Sequence, residues 1–266
     1  MFLPAGPYRF RAGSSPLVVS MPHVGTFVPP ALGRAMTQAA VHRTDTDWHL
    51  PRLYDFLREL GASVIAATHS RYVVDLNRPP DDESLYPGRV TTGLVAHETF
   101  HGEPIYRQGL VPDAAQVALR IEAYWTSYHR RLAAELQRVR AEHGIAILWD
   151  AHSIVSLAPR LFEGRLADFN LGTADGKSCD PTLARVLHDA MRKRSGYTAV
   201  LDGRFKGGYI TRHYGRPEDG IHAVQLEMSE RIYMEEQCPF TFREDLARHV
   251  RPILREQLEI ALRWAA

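Results

Sequence analysis

The sequence predicts an α/β protein: one sheet with helices on both faces. Three observations predict it. Short apolar runs alternate with amphipathic helical stretches along the chain. The chain has 266 residues, 45% of them hydrophobic, enough for a large core in one domain spanning residues 1–266. Charged or imidazole side chains sit where the apolar runs stop, the end of an α/β sheet that holds ligand sites.

Six runs carry the strand pattern. They are Leu17–Ser20, Ser63–Ala67, Tyr72–Leu76, Ile145–Trp149, Thr198–Leu201 and Ala223–Leu226. The clearest helix follows Pro112. Asp113 is placed to cap it and Gln116 to complete a capping box. Val117, Ile121, Tyr124, Trp125, Tyr128, Leu132, Leu136 and Val139 recur on one face, and Gly144 ends it. A second helix is expected from Asp47 to Leu60, closed by Gly61, and a third over Pro181–Arg194. The last begins near Thr241 and runs to the C-terminus, with Pro252 able to kink it. Between Arg78 and Pro112, prolines and glycines without periodicity predict an irregular functional loop.

Composition narrows the function. With 32 basic and 31 acidic side chains, the formal net charge is +1, which gives no reason to expect nucleic acid or an anionic membrane as partner. No apolar run approaches the length of a membrane span, and MFLPAGPYRF has no leader pattern. Cys179 and Cys238 form no CxxC pair and no disulfide framework. A reducing, cytoplasmic setting is expected. Thirteen histidines direct attention to metal or proton chemistry.

The strand ends supply the candidates. MPHVG carries His23, ILWDAHSI carries Asp150 and His152, and HAVQLEMSE carries Glu227. RTDTDWH adds Asp45 and Asp47 at a helix start, where either could simply cap. A catalytic zinc wants three protein ligands and an open position, and His23, His152 and one aspartate of the pair meet that inventory. Asp150, on the side of the strand that carries His152, is placed to fix its tautomer. A carboxylate ending a buried strand is costly, so Glu227 is the candidate base. Asn77 and Arg78 end RYVVDLNR and can grip a carboxylate. GRFKGGYITRHYG adds Arg204, Lys206 and Arg212 in a glycine-rich basic loop suited to an anionic ligand. His42, His97, His129, His143 and His188 have no such placement, and His129 and His188 are expected on helix surfaces.

PHVG, DTDW, DLNRP, DAHS and GRFKGGYITRHYG followed by HAVQLEMSERIYM together resemble the N-formylglutamate amidohydrolase family, from about Leu17 to Met234. The resemblance implies a fold related to zinc carboxypeptidases and aspartoacylases, a three-layer mixed sheet of the phosphorylase/hydrolase-like kind. It implies His23, Asp47 and His152 as ligands of one Zn2+ ion, Glu227 as general base and acid, and Arg71 facing the oxyanion. Asn77, Arg78, Arg204, Lys206 and Arg212 would then hold a small dicarboxylate substrate. Asp47 is preferred to Asp45 because it directly precedes the helix. The implied reaction is hydrolysis of N-formyl-L-glutamate to formate and L-glutamate in histidine degradation. A hydrolase of another N-acyl amino acid on the same scaffold, or a non-catalytic binder of acidic metabolites, are the competing expectations. A phosphoesterase is disfavoured because no GxxxxGK[ST] cradle occurs.

Overall fold

The computed structural model describes residues 6–266. Seven strands form one mixed sheet: β1 (Tyr8–Arg11), β2 (Leu17–Met21), β3 (Ser63–Ala67), β4 (Ala146–Ile154), β5 (Phe169–Gly172), β6 (Ala199–Leu201) and β7 (Ile221–Ser229), in the order β1-β3-β2-β4-β7-β5-β6. The central strands β3, β2, β4 and β7 run parallel. β1 pairs antiparallel with β3, and β5 antiparallel with β7. The helices are α1 (Pro30–Gly33), α2 (Gln38–Val41), α3 (Leu50–Leu53), α4 (Ala114–Arg120), α5 (Ser127–His143), α6 (Pro181–Arg192), α7 (Tyr209–Tyr214) and α8 (Glu244–Ala265).

Side chains alternate between the faces of a strand, and both faces of this sheet are covered. Leu17, Val19, Ile147, Trp149, Val224 and Leu226 pack against α6 and α8 through Leu183, Leu187, Met191, Val250, Leu254 and Leu258. Val18, Ile65, Leu148 and Ala223 pack on the other face against Tyr128, Leu132, Leu136 and Val139 of α5. Every residue of β4 is therefore buried. Each such aliphatic side chain contributes about 1.5–3 kcal/mol relative to exposure. The Trp149 indole finds its one partner in the Tyr54 hydroxyl, 3.1 Å away.

Local chemistry sets the helix ends. Asp113 and Gln116 form the expected reciprocal capping box on α4. Gly144, at φ 76°, ends α5 in the left-handed conformation that a glycine adopts without strain. Between α4 and α5 the chain makes a π-helical segment, Ile121–Thr126. Pro252 lies inside α8.

Several expectations need correction. Tyr72–Leu76 is no strand, although it is buried. Its carbonyls bond side chains instead of a neighbouring strand: Tyr72 O accepts from the Tyr106 hydroxyl, Val73 O from Arg120, and Leu76 O lies 2.9 Å from His129 Nε2. An apolar run is thus buried as irregular chain because its polar backbone is satisfied locally. The Asp47–Leu60 helix is broken into α3 and a 3-10 turn, Asp55–Arg58, with Tyr54 outside helical geometry between them. The last helix starts at Glu244 rather than near Thr241. β4 and β7 run past the expected ends, so Asp150, His152 and Glu227 lie within strands. β1 and β5 were not expected. Residues 78–112 contain only isolated bridges, as an irregular loop should.

Candidate active site

The site forms where β2, β4 and β7 end on the side facing α5. β4 and β7 pair in register, so Asp150 lies beside Gln225 and His152 beside Glu227. Period-two alternation puts all four on the face of Leu148 and Ala223. His23 follows β2 by two residues. The turn carrying Asp47 is tied to it by a 3.1 Å hydrogen bond from Asp47 N to His23 O.

His23, Asp47 and His152 each offer a ligand atom, all within 4.8 Å of one another. Asp47 Oδ2 lies 3.0 Å from His152 Nδ1 and 3.7 Å from His23 Nδ1. The far nitrogens are held by carboxylates: His23 Nε2 by Asp75 Oδ1 at 2.7 Å, His152 Nε2 by Asp150 Oδ2 at 3.0 Å. A proton on His23 Nε2 leaves its Nδ1 lone pair turned toward the point it shares with Asp47 and His152. His23 Nδ1 and Asp47 Oδ1 are buried with no hydrogen-bond partner. Buried orphans of this kind are costly, and a cation held by the two Nδ1 atoms and the Asp47 carboxylate would give His23 Nδ1 a partner. The donor set therefore fits a metal ion. Asp45, the alternative, turns away: its carboxylate accepts from Phe100 N at 2.9 Å and from the Thr44 hydroxyl, and burial pushes its pKa up to about 6.

Asp75 organises one flank. Besides His23 it accepts from Asn77 N at 2.8 Å, and Arg71 donates to it at 2.6 Å. Burial would raise its pKa, but the charges of Arg71 and His23 hold it well below the usual carboxylate range. Burial and the charge of Arg71 lower His23. For His152 burial acts in the same direction, but Asp150 and Asp47 outweigh it and hold the pKa well above its usual value. Glu227 is 8% exposed, and burial lifts its carboxyl to about 8.

A cavity opens onto this cluster. Its walls include His23, Arg71, Asn77, Arg78, His152, Arg204 and Glu227. Asn77 is spent inward: its Nδ2 lies 3.2 Å from Asp150 Oδ2 and its Oδ1 accepts from Ile210 N. Arg78 bonds Thr92 and the Asn77 carbonyl, leaving further N–H groups free. Lys206 and Arg212 are not brought to the cavity. Lys206 reaches outward to Asp175 at 2.7 Å, and Arg212 bonds the Gly207 carbonyl. Asp75, Tyr86 and Gln225 escaped the sequence reading. Asp75 had a signal, an acid at the end of an apolar run two residues before Asn77.

A mixed α/β sheet with a buried His–Asp–His cluster able to hold one metal ion, beside a buried carboxyl group, is an arrangement of the hydrolytic-enzyme class. The N-formylglutamate amidohydrolase family model matches residues 15–234. N-formylglutamate deformylase of Pseudomonas aeruginosa (strain PAO1) is 55% identical over 255 residues, 96% of each chain. That of Pseudomonas putida is 51% identical over 257 residues, 97% of this chain and 96% of the other. The crystal structure of N-formylglutamate amidohydrolase from Ralstonia eutropha JMP134 superposes with a TM-score of 0.80 at 28% identity, covering 96% of this chain and 98% of that one. A protein of Agrobacterium tumefaciens, 18% identical with a TM-score of 0.70 and 96% of each chain covered, shares the fold. The chain belongs to the N-formylglutamate amidohydrolase family and is a hydrolase acting on an amide. Among the described residues, no helix is long and apolar enough to cross a membrane.

Proposed function

We propose that this protein hydrolyses N-formyl-L-glutamate to formate and L-glutamate, using one zinc ion held by His23, Asp47 and His152. The observation that carries the proposal is the meeting of those three ligands and Glu227 at one cavity, in a chain 55% identical to an N-formylglutamate deformylase. Two imidazoles and one carboxylate are a common catalytic zinc set that leaves a position open. The ion would supply Lewis acidity to the formyl carbonyl and to a water molecule.

The chain's own residues do the rest. The Glu227 carboxylate takes a proton from the attacking water at an Oε atom and returns it to the leaving nitrogen. Asp75 and Asp150 hold the two imidazoles in the Nε2–H tautomer. Arg71, fixed to Asp75, turns its guanidinium toward the oxyanion that forms on the formyl oxygen. Asn77 locks Asp150 and the start of α7, and so fixes the cavity wall. Arg78 and Arg204 hold the substrate carboxylates, while Lys206 and Arg212 support the loop behind them. A place in histidine degradation and in the cytoplasm goes with this reading.

Purified protein should contain about one equivalent of zinc and release formate from N-formyl-L-glutamate. A chelator should abolish the release and zinc restore it. Activity unaffected by complete metal removal would sink the proposed ligand set. Faster turnover of N-acetyl- than of N-formyl-glutamate would replace the substrate.

A further inference from the structure

The cavity wall carries more positive charge than the reaction centre uses. Arg78 and Arg204 both line it, and among the described residues neither is bonded to a carboxylate. Buried or half-buried guanidinium groups without a counter-ion are anion sites in waiting. The two differ in depth. Arg78 bonds both the carbonyl and the hydroxyl of Thr92, which is 6% exposed. Arg204 donates Nε to Leu161 O at 2.8 Å and lies 3.4 Å from the carbonyl of Val90, which is 52% exposed. One short segment, residues 90–92, thus runs from the surface inward and carries Arg204 on its outer rung and Arg78 on its inner one.

Tyr86 sets the outer rung. Its hydroxyl donates to Gly207 O at 3.0 Å and accepts from Lys206 N at 3.1 Å. The Arg204 and Arg212 guanidinium groups lie 5.7 and 5.1 Å from its ring centre. The irregular 78–112 loop and the glycine-rich basic loop are therefore joined at this side chain.

We propose that Arg204 reads the side-chain carboxylate of the substrate, that Arg78 takes the α-carboxylate, and that Tyr86 is the residue positioning Arg204. This rests on the reaction proposed above. In an N-formyl dicarboxylic amino acid the α-carboxylate is attached next to the scissile nitrogen. The side-chain carboxylate of glutamate is two methylenes further out. With the formyl group at the ligand cluster, the deeper guanidinium meets the near carboxylate and the outer one meets the far. Arg204 then sets the preference for an acidic amino acid over its neutral amide. A site built around a charged partner discriminates strongly against the analogue lacking it.

The test compares kcat/KM for N-formyl-L-glutamate and N-formyl-L-glutamine. The intact enzyme should favour the acid by about 100-fold or more. In Arg204→Gln that ratio should collapse toward about one, through loss on the acid. Arg204→Lys should keep part of the preference, and Tyr86→Phe should lower it by about tenfold. Arg78→Gln should slow both substrates alike and leave the ratio standing. Equal losses on both substrates in Arg204→Gln, with the ratio kept, would make Arg204 a structural residue and overturn the assignment. Intact enzyme that turns over both equally well would overturn it too, with the hydrolase reading unharmed. Formate release from neither would remove both.

Discussion

His23 and His129 are buried to the same degree, 3% and 4% exposed, yet they live in opposite kinds of surroundings. His129 is part of α5 and has both ring nitrogens used: Nδ1 lies 3.0 Å from the Tyr214 hydroxyl and Nε2 2.9 Å from the Leu76 carbonyl. Its ring packs at a tilt against Trp125, 3.8 Å between centroids, and its hydrogen-bond partners are neutral. His23 has a carboxylate on one nitrogen and nothing on the other. Burial does not distinguish the two rings; what distinguishes them is that His23 lies among carboxylates and His129 among neutral groups. With both nitrogens on neutral groups, His129 has no carboxylate beside it with which to share a cation. An imidazole with one nitrogen anchored and one lone pair idle is pre-set to bind.

The comparison can be broken most directly at the ligand. His23→Ala should lower formate release by about 10³-fold or more and cost the protein its zinc. His129→Gln should retain zinc near one equivalent. Zinc lost equally from both variants would erase the distinction. Glu227→Gln sharpens it further: metal content should stay while turnover falls by about 10²–10⁴-fold. Asp75→Asn comes next. It removes the charge behind His23 and the anchor of Arg71, and should weaken zinc affinity by about 10- to 100-fold in a chelator competition. An unchanged affinity would show that the carboxylate does not prepare the imidazole.

A further effect concerns His129. Burial lowers its pKa to about 3, whereas in the unfolded chain it returns to about 6.5. Between those values the unfolded chain holds a proton that the native protein refuses, so stability falls as pH drops from about 6.5 toward 3. The slope from this one group is about 1.4 kcal/mol per pH unit in the middle of that window. His129→Gln should flatten the acid limb of urea-unfolding stability by that amount, whatever its cost at pH 7. Parallel curves for the two proteins would contradict the assigned burial effect. The smallest expected change is Asp113→Ala, which removes the capping box of α4 and should cost about 1 kcal/mol without altering formate release.

Much of this was legible in the sequence because the fold and the site use the same signal. Apolar runs mark the parallel strands, and the polar residues that interrupt them, His23, His152 and Glu227, stand out by contrast. The signal fails where burial does not need a strand. Tyr72–Leu76 is apolar and β-branched like its neighbours, but side chains of Tyr106, Arg120 and His129 bond its carbonyls. It fails again in Tyr8–Arg11, where an edge strand buries too little to leave a pattern. His129 resembled a surface residue because Ser127, Arg130 and Arg131 surround it in sequence. Its partners Tyr214 and Leu76 lie far along the chain. Within GRFKGGYITRHYG, composition cannot tell that Arg204 faces the cavity while Lys206 faces Asp175.

The π turn between α4 and α5 has a consequence for how the family can vary. It behaves as one residue inserted into a continuous rod. Downstream of it α5 keeps Tyr128, Leu132 and Leu136 on the sheet. Upstream, Arg120 meets the Tyr106 hydroxyl, and within the turn Trp125 donates to the Arg78 carbonyl at 3.0 Å. Deleting one residue would restore regular winding with the two flanks still in phase, but it would remove the widened turn that carries the Trp125 indole to the Arg78 carbonyl. Insertions and deletions should be tolerated in the loops on either side of this rod and rejected at Ile121–Thr126.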